Sequence, residues 1–132
     1  QNINFLGEVD HPFRAFKESD LVLVLPTEPE TFGRIVTEAM TMNRMVIAFD
    51  QTGPKEIIHS YTKWLWRTHN IKCELDHFIV EANNSMSLAE KIGHYADHPE
   101  ELELLTKHMN QFIIENFSLR ETKKRLLGIL AE

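Results

Sequence analysis

Residues Leu21 to Glu38, LVLVLPTEPETFGRIVTE, decide how the chain is read. The apolar run Leu21 to Leu25 is short and continuous, as in a strand buried between two layers of helices, and it predicts a parallel sheet. A Pro-bearing turn follows, and Phe32 and Gly33 stand where a helix over about 32–41 must begin. Its expected inward side is Ile35, Val36, Ala39 and Met40. A strand whose C-terminal end opens onto a helix N-terminus is the usual seat of an anionic ligand in an α/β domain.

On the N-terminal side, Asn4 to Val9 reads as a short strand ending at Gly7. Pro12 then opens a helix capped by Asp10 or His11 and buried through Phe13 and Phe16. On the C-terminal side, Met45 to Phe49 is a third strand, Lys55 to His59 a short helix, and Phe78 to Glu81 a last strand. Between them, Tyr61 to His77 shows no regular pattern and reads as an irregular insertion. Capping signals at Ser87 with Glu90, at Pro99 with Glu100 and Glu101, and at Ser118 with Glu121 predict three closing helices. The expected fold is α/β: a Rossmann-like, doubly wound parallel sheet, incomplete at its N-terminal side, with a helical C-terminal segment. Residues 1–132 form one domain.

Composition narrows the function. Hydrophobic residues at 42% and charged residues at 26% fit a globular domain, and a net charge of −6 argues against nucleic acid as a partner. Cys73 is the single cysteine, which excludes an internal disulfide and suits a cytoplasmic setting. The seven histidines are scattered. His94 and His98 share a helical spacing, but the residue after the first is Tyr95 rather than the Glu of a zinc-protease motif, so neither a metal nor another cofactor is expected.

Glu30 and Glu38 are eight residues apart, a spacing that means little in a chain with 15 glutamates. Their setting gives it meaning. N–H groups at the helix start would hold a diphosphate, and a carboxylate one turn further in would accept hydrogen bonds from sugar hydroxyls. The plainer alternative is a loop charge at Glu30 and a solvated helix residue at Glu38.

The blocks FLGEV (Phe5 to Val9), ESDLVLVLPT, EPETFGRIVTEAM and MVIAFDQTGPKEII, then FIVEANN and SLAEKI, resemble the C-terminal domain of family 4 glycosyltransferases of the GT-B class, over about two thirds of the chain. Such enzymes transfer a sugar from a nucleotide donor with retention of configuration. The resemblance implies that Glu30 contacts the donor sugar as the catalytic carboxylate and that Glu38 binds the ribose hydroxyls. It further implies that backbone N–H groups at Phe32, Gly33, Arg34 and Ile35 hold the diphosphate. By the same resemblance Thr27 would stand beside the phosphates, and the loop after Gly7, including Val9, would lie near the base. Arg34 occupies a place that is commonly apolar in the family, Asn43 and Met45 replace a usual Gly and Pro, and Thr52 replaces the first Gly of a Gly-Gly turn.

By the same resemblance the chain is a fragment of a two-domain enzyme. The basic phosphate clamps and the N-terminal acceptor domain would lie outside it, so this chain alone is expected to be inactive. The acceptor would be a polysaccharide, lipopolysaccharide or glycolipid. A sugar-nucleotide epimerase of the same shape and a noncatalytic α/β binding module are the rival readings. Two segments suggest a peripheral contact with the inner face of the plasma membrane. One is Tyr61 to His77, where Tyr61, Trp64 and Trp66 mix with Lys63, Arg67 and Lys72; the other is the last helix, with Leu119, Leu126, Leu127 and Leu130 among Lys123, Lys124 and Arg125. Packing of Trp64 and Leu65 over the sheet edge, and of the last helix across to the other domain, are the alternatives.

Overall fold

The computed structural model describes residues 3–10, 12–28 and 33–131, with the side chains at 121, 122, 125 and 129–131 left out of the description. Three strands, β1 (Leu21–Val24), β2 (Met45–Phe49) and β3 (Ile79–Val80), form one parallel sheet in the order β1-β2-β3. Leu21 pairs with Met45 and Val24 with Ala48, and Ala48 and Phe49 pair with Ile79 and Val80. The strands are joined by helices α2 (Arg34–Thr41) and α3 (Thr52–His69), as parallel pairing requires. Helix α1 (Pro12–Lys17) precedes β1. A 3₁₀ turn (Leu75–His77) precedes β3, and α4 (Ser85–Asp97), α5 (Pro99–Thr106), α6 (Met109–Phe117) and α7 (Leu119–Ala131) follow it. This is the α/β, Rossmann-like architecture expected from the alternation of strand and helix.

Burial separates the strands. All five residues of β2 are buried, so it is the strand covered on both faces. In β1 only Val22 and Val24 are buried, while Leu23 is exposed, so the LVLV run is an edge strand with one open face. Helix α2 buries Val36, Ala39 and Met40 at helical spacing, but Ile35, in its first turn, is exposed although it stands four residues before Ala39. It closes at Asn43 in the left-handed conformation (φ 54°), where a Gly would be usual. Asn43 repays the strain with its side chain, since Oδ1 accepts from the Asn110 N–H at 2.7 Å and ties α2 to α6.

The expected insertion at 61–77 is instead helix as far as His69. Ile57, Ile58, Tyr61, Trp64 and Leu65 recur every three to four residues, and burying that stripe outweighs the modest helix propensity of Tyr, Thr and Trp. The chain leaves α3 through Asn70, also left-handed (φ 55°). Trp64 is buried, and its indole Nε1 donates to Glu115 Oε2 at 2.9 Å, which removes it from any membrane contact.

Other expectations shift at the ends. Residues 3–9 form no strand: Gly7 is left-handed (φ 68°), which extended backbone cannot accommodate, and Phe5 is 94% exposed. Helix α1 begins at Pro12 as expected, yet Phe13 is exposed, with its ring edge-on to Phe16. Helix α4 starts two residues before Ser87, because the side chain of Asn84 accepts from the Ser87 N–H and serves as cap. Four closing helices replace the expected three. The break at Lys107 and His108 carries neither Gly nor Pro and lets Met109, Phe112 and Ile113 of α6 turn into the core.

Candidate functional site

The carboxyl ends of β1 and β2 lie side by side, so the loops that follow them share one edge of the sheet. A hydrogen bond ties these loops together, Gln51 Nε2 donating to the Pro26 carbonyl at 3.2 Å. Gly33 then brings the start of α2 against the start of α3. It is buried and left-handed (φ 74°). A Cβ placed on it would sit 3.1 Å from Pro54 N, 3.2 Å from Pro54 Cα and 3.3 Å from Ile57 Cδ1. Only glycine satisfies both the dihedral and the approach.

Gly33, the N-cap of α2, has no side chain with which to cap the helix. The Thr37 N–H closes the first turn on the Gly33 carbonyl at 3.3 Å, so the N–H groups of Arg34, Ile35 and Val36 precede the helical ladder and point out of its end. Three parallel donors at the positive end of a helix dipole suit a phosphate. One turn in, Glu38 is mostly covered, at 19% exposure, and its Oε1 accepts from Arg34 Nε at 2.8 Å, while the Arg34 side chain itself is 82% exposed. The guanidinium therefore holds the carboxylate in place along the helix surface.

Sequence reasoning overlooked the second wall of this edge, although its residues lie in the MVIAFDQTGPKEII block. Asp50, Gln51, Thr52, Lys55, Glu56 and His59 line a hollow of about 370 Å³ at the start of α3. Lys55, next to the Pro54 that Gly33 abuts, pairs with Asp50 at 3.0 Å and brings a cation to this edge.

Gly33, Arg34, Ile35 and Glu38 thus come together, and Thr27 lies in the exposed loop next to Pro26. Glu30 and Phe32 lie outside the described residues. Gly7 has no atom within 4 Å of where a Cβ would stand, and Val9 is exposed. Among the described residues, no group of three or more His, Cys, Asp or Glu could hold a metal ion. No helix among them is long and apolar enough to cross a membrane.

No curated protein and no solved structure matches the chain. A family model described as "Glycosyl transferases group 1" matches residues 1–98, nearly three quarters of the sequence, and covers the whole sheet together with α2 and α3. On that match, the chain belongs to the group 1 glycosyl transferases.

Proposed function

We propose that this domain is the nucleotide-sugar-binding half of a retaining, family 4 type GT-B glycosyltransferase. It would pass a hexose to a polysaccharide, lipopolysaccharide or glycolipid. The observation that carries the reading is Gly33: its left-handed conformation and close approach to Pro54 set the start of α2 at the carboxyl edge of a parallel sheet. In this reading the N–H groups of Phe32 to Ile35 hold the diphosphate, Thr27 lies beside it, and Glu38 accepts from the ribose hydroxyls. Glu30 faces the donor sugar, and the loop through Gly7 and Val9 approaches the base. Preorganised donors stabilise the charge on the departing diphosphate while the acceptor attacks from the same face. The chemistry needs no metal. Transfer requires an acceptor-binding lobe facing this edge, so this chain by itself binds donor without turning it over. The lone cysteine suits a cytoplasmic enzyme.

Glu38 gives a direct test by calorimetry with uridine, guanosine and adenosine diphosphate sugars. A charged acceptor of hydroxyl hydrogen bonds contributes about 1.5–3 kcal/mol, so Glu38→Ala should weaken donor binding by about tenfold or more. Unchanged affinity would remove the ribose role.

A further inference from the structure

Helix α3 carries a second feature on the side away from its core stripe. Thr52, Lys55, Glu56, His59, Thr62, Lys63 and Trp66 recur at three- and four-residue steps, so they form one face about 21 Å long from Thr52 to Trp66. Two hollows lie on this face. The first, of about 370 Å³, adjoins the carboxyl edge of β2; the second, of about 520 Å³, lies between the far half of α3 and the segment Lys72 to Leu75. His59 lines both.

The far hollow has a distinct chemistry. Its floor is Cys73, Thr62 and Leu75, and burial pushes the Cys73 thiol up to about 11, so it is a neutral, weakly polar surface rather than a nucleophile. On its rim Trp66 is 53% exposed, in contrast to buried Trp64. Lys63 and Lys72 stand beside it, with Glu74 as the acid in the lining. An exposed aromatic plane with lysine ammonium groups over a concave floor matches a ring with one apolar face, hydroxyl edges and a carboxylate. A bilayer calls for a protruding surface instead, and in this lining the two lysines, Lys63 and Lys72, outnumber the single acid Glu74.

We propose that the far hollow, between α3 and Lys72 to Leu75, is a second carbohydrate site that holds an anionic saccharide bearing carboxylates, with Trp66 stacked on a sugar ring and Lys63 and Lys72 paired with its charge. It acts independently of donor binding at Gly33 and would tether an acidic glycan beside the transfer edge.

Tryptophan emission tests it, because the chain has two Trp and only Trp66 is exposed. Titration with tetragalacturonate should give a saturable change in emission that is lost in Trp66→Phe and at least tenfold weaker in Lys63→Glu. Circular dichroism confirms the fold of both variants, whose altered residues lie on the surface. Neutral galactotetraose should bind at least tenfold more weakly, and a uridine diphosphate sugar should leave the tetramer bound. No response to tetragalacturonate, or equal affinity in Lys63→Glu, would overturn the site. So would displacement of the tetramer by the nucleotide sugar, or a response confined to phosphatidylglycerol vesicles.

Discussion

Gly33→Val is expected to destabilise the fold by about 3–5 kcal/mol, a large part of what a domain of this size has in hand. The added side chain meets two separate costs. A β-branched residue held at φ 74° costs about 1–3 kcal/mol, and its Cβ lies 3.1 and 3.2 Å from backbone atoms of Pro54, which cannot rotate away as a side chain could. Relief requires α2 to withdraw from α3, which would also move the N–H groups of Arg34 and Ile35. Urea unfolding measures the first effect, and nucleotide-sugar binding below the transition measures the second. Gly128 is the control. Nothing lies within 4 Å of a Cβ placed there, its φ is unexceptional, and Gly128→Ala in α7 should raise stability by up to about 1 kcal/mol and leave nucleotide-sugar binding unchanged.

The second large effect belongs to Tyr61. Its ring is fully buried and meets Phe112 at 5.3 Å, Trp64 at 6.1 Å and Phe78 at 6.2 Å, joining α3, α6 and the approach to β3. Its hydroxyl donates to the Leu105 carbonyl at 2.7 Å, and burial raises the phenol well above its ordinary range, so it remains a donor. Tyr61→Ala should lose about 3–5 kcal/mol through the cavity it leaves, and Tyr61→Phe about 1–3 kcal/mol through the unpaired Leu105 carbonyl. Chemical denaturation of the two variants separates packing from hydrogen bonding. Equal losses would show that the hydrogen bond rather than the aromatic cluster dominates.

These two residues also mark how far the sequence could be read. Gly33 was legible as a special position, because a strand, a turn and a helix start bracket it. Its partner Pro54 lies 21 residues on, and no local pattern connects them. Tyr61 was misread. The stripe from Ile57 to Leu65 was present, but interspersed Thr, Trp and charged residues disguised an 18-residue helix as an insertion. The opposite error occurred at Phe5 to Val9, whose apolar letters suggest a strand while Gly7 takes a conformation no strand holds. The apolar LVLV run promised burial on both faces, and only the sheet order shows that β2 holds that place. At the site, Glu38 was singled out correctly as a helix residue one turn in. Its clasp by Arg34 follows from the same spacing of four, a pairing that is visible in the letters but was overlooked.

The most direct test of donor binding is nitrogen-15 amide mapping of this chain with uridine, guanosine and adenosine diphosphate sugars at millimolar concentration. With one of them, the amides of Gly33, Arg34 and Ile35 should shift furthest, followed by those around Gln51 to Lys55. The far end of α3 near Trp66 should stay still. Unmoved amides at Gly33 to Ile35 with all three donors would contradict the proposal that the start of α2 is the diphosphate site.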